Sequence, residues 1–296
     1  MKIFIFKIPR DKKKYINSST SVLKNCHYNS KYGRNEFDIY TPPANTKILS
    51  SIIWVHGGGY IGGDKVEEED YALKLSKLGY QVFVMNYELL PKSRYPQPVQ
   101  QVCDFFAHLL KNSDVYNVDY ENIFIAGNSA GAQIASQFVV VQNNRDYSKK
   151  IGVDVDFLPV KFRGALLFCG IYDLIELAEE SASKIVRFFT KHMGTMFFRD
   201  RNWLQNDRAK YTKLSELTLE EFPPVFITDG NTFSFEQQAK ELVNKLKNNQ
   251  IPVKTRFFDK NNVTVNHEFQ FELDSEEAIL VFEDVVEFLH SNRKVQ

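Results

Sequence analysis

The chain has 296 residues, with 37 lysines and arginines balanced by 37 aspartates and glutamates. That balance leaves no basic surplus for nucleic acid and no acidic tail, and the length suits one large α/β domain or two small ones. With 25 phenylalanines, both a sizeable core and an apolar pocket can be built.

Residues 1–34 read as an N-terminal leader. Met1 to Ile8 is short and interrupted by lysine, and Arg10-Asp11-Lys12-Lys13-Lys14 follows where a signal peptide would place small residues. Residues 35–296 read as a single domain in which strands and helices alternate, the pattern of a mostly parallel sheet covered by helices. The apolar run Ser51 to Val55 is the first strand, and Val66 to Leu78 a helix with an acidic first turn, Glu67-Glu68-Glu69-Asp70, favourable against the helix dipole. Gln81 to Tyr87 is a strand. Val99, Val102, Phe105, Phe106 and Leu109 then recur at helical spacing. Asn122 to Ala126 is a strand and Gln133 to Val141 a helix. Gly164 to Phe168, Pro224 to Thr228 and Val253 to Phe258 are the later strands. Ala239, Leu242, Val243 and Leu246 mark one helix, and Ala278, Val281, Phe282, Val285 and Leu289 a closing one. Residues 174–221 hold no clear strand but carry Phe188-Phe189, Met196-Phe197-Phe198 and Trp203. This insertion is read as a small helical cap over the carboxyl edge of the sheet, with a plain crossover as the alternative.

Between the Asn122 strand and the next helix lies Gly127-Asn128-Ser129-Ala130-Gly131. Strand, glycine-flanked serine and helix is the context of a nucleophile elbow, in which a sharp turn lifts the serine oxygen clear of the sheet. A serine there could also serve only as a cap or a turn residue. A nucleophile needs donors for the oxyanion. His56-Gly57-Gly58-Gly59-Tyr60 follows the first strand, with backbone amides unobstructed by side chains, and the amide of Ala130 would complete the hole. A phosphate loop would require Lys-Ser/Thr after the glycines, and Tyr60-Ile61 is not that. The base should follow the serine in the chain, as do His192, His267 and His290. His192 sits in the cap region and His290 ends the closing helix. His267 lies in the loop after the last strand, where the carboxyl edge would present it.

Together these motifs resemble an α/β-hydrolase of the hormone-sensitive-lipase-like esterase group. The matching residues are His56 to Tyr60, Asn86-Tyr87-Glu88-Leu89-Leu90-Pro91 with Tyr95-Pro96, Gly127 to Gly131, Gly170-Ile171-Tyr172-Asp173-Leu174, and His267-Glu268-Phe269. The resemblance covers nearly the whole chain, from about Asn35 to Phe288. The resemblance implies that Ser129 attacks an ester carbonyl, that His267 is the base, and that the amides of Gly58, Gly59 and Ala130 hold the oxyanion. In the group pattern the acid follows the strand that is Pro224 to Thr228 here. Alignment puts Thr232 or Phe233 at that position, neither of them a carboxylate. Asp229 is the favoured substitute, with Asp173 and Glu236 as rivals and weak orientation by Asn231 or Thr232 as a further alternative. Asn128, Ala132 and Glu88 also depart from the residues that relatives often carry.

The expected activity is hydrolysis of short acyl or aryl carboxylic esters, with no cofactor and no metal. An amidase or formamidase would use the same parts, and a small-molecule-binding homologue that has lost catalysis is the alternative of a different class. A small ester is the expected partner, with no nucleic acid and no membrane span, and homodimerisation is left open. Cys26, Cys103 and Cys169 are few, odd in number and widely spaced. They suit a reducing compartment, so a cytoplasmic location is expected.

Overall fold

The computed structural model of the chain describes residues 20–157, 159–181, 183–217, 219 and 221–294. Eight strands form one sheet: β1 (Ser21–His27), β2 (Glu36–Thr41), β3 (Ser50–Val55), β4 (Tyr80–Met85), β5 (Ile123–Asn128), β6 (Gly164–Phe168), β7 (Val225–Thr228) and β8 (Val253–Arg256). Their spatial order is β1-β2-β4-β3-β5-β6-β7-β8. From β4 to β8 all pairings are parallel, while β1 and β2 are antiparallel additions at one edge. The helices are α1 (Glu69–Lys77), α2 (Gln97–Lys111), α3 (Ser113–Tyr116), α4 (Ala130–Asn143), α5 (Arg145–Ile151), α6 (Leu174–Glu179), α7 (Lys184–Phe198), α8 (Asp207–Lys210), α9 (Glu236–Asn248) and α10 (Glu276–Asn292).

Side-chain alternation along the strands divides the core into two layers. Ile53, Val55, Phe83 and Ile125 pack with α2, α4 and α9. Their neighbours Ile52, Trp54, Val84 and Phe124 pack with α1 and α10 on the other face. With both faces covered, the central strands are continuous apolar runs, which makes them readable in the sequence. The edge is different. Residues 21–27, placed in the leader by the sequence analysis, form β1, and residues 1–19 of that leader lie outside the described residues. β1 is mostly exposed and so carries no apolar pattern to betray it. Polar groups help to hold it: Lys65 pairs with Asp38 at 2.8 Å, and Lys65 Nζ also donates to Asn25 Oδ1 at 2.8 Å.

The strand order reverses at β3. The chain adds β4 on one side and then returns to add β5 on the other. The crevice at the carboxyl ends of β3 and β5 is therefore the topological switch point, where open α/β sheets hold their ligands. The glycine loop leaves β3 there and Ser129 leaves β5. The segment between β6 and β7 contains α6, α7 and α8 and no strand among its described residues.

Candidate active site

Ser129 sits between β5 and α4 with φ 51° and ψ −120°, a conformation that L-residues rarely hold. Close packing enforces the turn. A Cβ on Gly127 would lie 2.5 Å from the Gly131 carbonyl oxygen, and one on Gly131 would lie 2.1 Å from that of Val55. The glycines of the pentapeptide are thus required by backbone approach on both sides. The Ser129 side chain does not cap α4. Its Oγ instead lies 3.2 Å from Nε2 of His267.

His267 is delivered from the other end of the chain. Its backbone N–H donates to the Thr232 carbonyl at 3.2 Å, and Thr232 bridges to Asn266, so the loop after β7 carries the loop after β8. Gly230 permits this contact, because a Cβ there would fall 2.3 Å from the Asn266 carbonyl oxygen. Phe235 packs edge-on against the imidazole at 4.9 Å between ring centres.

Nδ1 of His267 faces Oδ1 of Asp229 at 3.5 Å. That is long for a hydrogen bond, and Nδ1 is buried with no hydrogen-bond partner among the described residues. The Asp229 carboxylate is fully buried and fixed by two amides, Gly230 N at 2.7 Å on Oδ1 and Phe235 N at 2.8 Å on Oδ2. Burial alone would lower the imidazolium pKa. The contact with Asp229 and its charge, joined by the Glu268 charge, outweigh burial and hold His267 above its ordinary value.

The other acid candidates are engaged elsewhere. Asp173 caps α6, accepting from Ile175 N at 2.9 Å and Glu176 N at 3.0 Å, and pairs with Lys213 at 3.5 Å. Glu236 pairs with Lys240 at 3.0 Å on the surface of α9. Asn231 staples the neighbouring loop, donating to the carbonyls of Phe258 and Val263 and accepting from Val265 N. Phe233 is 85% exposed. Thr232, the other position reached by alignment, supports the backbone of His267 rather than its ring.

The glycine loop lies across the crevice. Gly58 and Gly59 have φ of 111° and 60°, and a Cβ on Gly58 would collide with Gly62. The amides of Gly58, Gly59 and Ala130 donate to no protein acceptor in the described residues. The loop is anchored by His56, which is fully buried, bonds the Gly57 carbonyl at 2.7 Å and stacks on Tyr87 at 4.4 Å. Burial pushes His56 down to about 4, so it is neutral near neutral pH. From α7, Phe189 approaches to 4.0 Å of a Cβ built on Gly59, and Phe197 packs on Tyr60 at 4.6 Å. A cavity of about 540 Å³ lined by Thr41, Ile48 and Asp119 lies at the amino ends of the strands, away from Ser129.

The family model BD-FAE matches residues 37–246. The chain belongs to the BD-FAE family. This BD-FAE protein is also similar to an acetyl esterase of Salmonella typhi, 29% identical over 124 residues. That likeness covers 40% of this chain and 36% of the relative, little more than a third of its length. Among solved structures, esterase B of Lactobacillus rhamnosis superposes with a TM-score of 0.78 at 20% identity, covering 93% of this chain and 86% of the other. An esterase of Pyrobaculum calidifontis gives 0.71 at 16% identity, over 95% and 87%. The fold of this BD-FAE protein is the α/β-hydrolase fold, as its motifs implied.

Two site neighbours carry no role in the sequence analysis. Glu268 belongs to the motif around His267, and Cys169 ends an apolar strand-like run that reads as holding a buried structural thiol. The Cys169 sulfur lies within 4.8 Å of ligand atoms of both Asp229 and His267. Burial drives its thiol pKa well up, so it is a neutral packing group. The apolar run foretells the burial of Cys169, but no local pattern marks the neighbours of either residue, because these come from distant strands.

Proposed function

We propose that this protein is a serine hydrolase that cleaves carboxylic esters with short acyl or aryl groups. Ser129 Oγ attacks the ester carbonyl while His267 Nε2 takes its proton. The amides of Gly58, Gly59 and Ala130 hold the oxyanion, and Asp229 orients the imidazole and stabilises its charged form. Collapse of the tetrahedral intermediate expels the alcohol, which receives the proton from His267. Water, activated by the same histidine, then cleaves the acyl-enzyme to the acid and free Ser129.

The observation that carries this reading is the 3.2 Å approach of His267 Nε2 to a serine that does not cap its helix, with the buried Asp229 behind the ring. A binding protein without catalysis would have no use for that alignment beside free amides. The acetyl esterase name of the Salmonella relative supports the ester class. The α6–α8 segment serves as the cap, and Phe189 and Phe235 form apolar walls beside Gly59 and His267 that suit a short acyl or aryl group. No helix of the described residues is long and apolar enough to cross a membrane. The three free cysteines favour a cytoplasmic setting.

The test is labelling by a fluorophosphonate probe together with hydrolysis of p-nitrophenyl acetate and butyrate, with Ser129→Ala as control. Labelling and turnover that both vanish in the variant are expected. An unlabelled wild-type protein without Ser129-dependent turnover would overturn the assignment.

A further inference from the structure

The residue before the nucleophile and the residue after the base meet in space. Asn128 Nδ2 donates to Glu268 Oε1 at 3.0 Å, across 140 residues of chain. The orientation of this amide is set from its other side. Trp54 Nε1 is a donor only and reaches Asn128 Oδ1 at 3.2 Å, so the NH2 group must face Glu268. Asn128 and Trp54 are both buried. The pair also backs onto the glycine loop: a Cβ on Gly57 would stand 2.7 Å from Asn128 Nδ2 and 3.1 Å from Glu268 Oε1. One polar contact therefore joins the elbow to the base loop, and the oxyanion loop packs closely against it at Gly57.

Glu268 is held at φ 64° and ψ 16°, in the left-handed region where a side chain is strained. That turn sends His267 toward Ser129 and the next residue, Phe269, into the core. Strain of this kind persists only where the surroundings over-determine it, and the bond to Asn128 is the fixing contact that the side chain of Glu268 makes.

We propose that Glu268 is a positioning residue, gripping Asn128 so that the turn carrying His267 is locked to the nucleophile elbow and against Gly57. The proposal rests on the serine-hydrolase reading of this site. Its carboxylate also places negative charge beside the imidazole. Among the described residues, the other titratable or polar side chains facing that ring are Asp229 from the end of β7, the neutral Cys169 thiol from the end of β6, and Ser129. Asn128 follows from Glu268: an aspartate there could accept from Trp54 but would set a second carboxylate against the first.

The experiment compares E268Q, E268A, N128D and the double variant N128D/E268Q in kcat, KM and the pH profile of kcat/KM, with folding checked by thermal denaturation. E268A is expected to lower kcat roughly tenfold to a hundredfold through misplacement of the base, with KM little changed. In E268Q the glutamine oxygen still accepts from Asn128, so kcat falls less. In both, the acid limb moves to lower pH because a negative charge beside His267 is gone. N128D is expected to lose activity, and adding E268Q to recover it, because the glutamine NH2 can donate to the new carboxylate. A purely structural role would move the melting temperature but neither the acid limb nor the double variant's recovery. Wild-type kcat in E268A, an unmoved acid limb in both Glu268 variants, or no recovery in the double variant would overturn the proposal. Fluorophosphonate labelling separates the two levels. A labelled wild type with indifferent Glu268 variants removes this proposal alone, whereas an unlabelled wild type removes the hydrolase reading and this proposal with it.

Discussion

Replacing Asp229 by asparagine removes the carboxylate that faces His267 Nδ1 and leaves a group of nearly the same shape. The wild-type carboxylate accepts from two amides, Gly230 N on Oδ1 and Phe235 N on Oδ2, and its Oδ1 faces the imidazole Nδ1 at 3.5 Å. An asparagine offers one acceptor oxygen. If that oxygen stays toward Gly230 and His267, the NH2 group is driven against the Phe235 N–H, leaving a buried donor unpaired at about 1–3 kcal/mol of stability. If the amide turns over, its NH2 points at Nδ1 and favours the tautomer protonated on Nε2, which cannot accept the Ser129 proton. Either way the charge that stabilises the imidazolium is gone. The expected loss in kcat is about 10³ to 10⁴-fold, or roughly 4–5.5 kcal/mol of transition-state stabilisation. The wild-type acid limb should lie above the ordinary histidine value, because His267 must be neutral to act and its pKa is raised. In the variant that limb should move down. The assay is kcat and kcat/KM for p-nitrophenyl butyrate across pH, beside Asp173→Asn and Glu236→Gln. Asparagine caps a helix about as well as aspartate, and the Glu236–Lys240 pair lies on the surface, so those two variants should stay within about twofold of wild type. Retention of more than about a tenth of wild-type kcat by Asp229→Asn, or a larger loss in either rival, would refute the reasoning.

Three further outcomes follow from the same geometry. Ser129→Gly should abolish turnover yet raise the melting temperature by a few degrees, since relief of positive-φ strain of about 1–3 kcal/mol exceeds the entropy cost of glycine. Gly131→Ala should destabilise the protein by about 1–3 kcal/mol or more in urea titration, because its Cβ would meet the Val55 and His56 carbonyl oxygens at 2.1 and 2.4 Å. His56 titrates at about 4 when folded, below its ordinary value. Below pH ~6.5 the unfolded chain thus binds a proton that the folded chain refuses, and stability falls with pH by about 3 kcal/mol by pH 4. The urea midpoint of His56→Gln should be less sensitive than wild type between pH 7 and pH 4.5.

The sheet was readable where burial is two-sided. β3, β4, β5, β6 and β7 are apolar runs whose bounds agree with the sequence reading to within about two residues. β1 escaped because an exposed edge strand held by Lys65, Asp38 and Asn25 has no apolar period. β2, with its antiparallel pairing to β4, was not separated from the turn-rich stretch around it.

Within the candidate site, the sequence by itself determined the local pieces. Gly127-Asn128-Ser129-Ala130-Gly131 and His56-Gly57-Gly58-Gly59 are contiguous because an elbow and an oxyanion loop are each built by neighbouring backbone. His267 could be chosen from chain order and its loop position. The acid could only be nominated, because Asp229, Asp173 and Glu236 are alike as residue types and differ in what surrounds them. What surrounds them is set by the tertiary structure: the loop after β7 pairs with the loop after β8 and brings His267 to within 3.5 Å of Asp229, while Asp173 caps a helix and Glu236 meets a lysine, and on this difference the proposal of Asp229 as the acid rests. The Asn128–Glu268 contact belongs to the same class. A hydrogen bond spanning 140 residues leaves no period or motif in the chain, and it exists only because strands β3, β5 and β7 and the loop after β8 open onto one edge of the sheet.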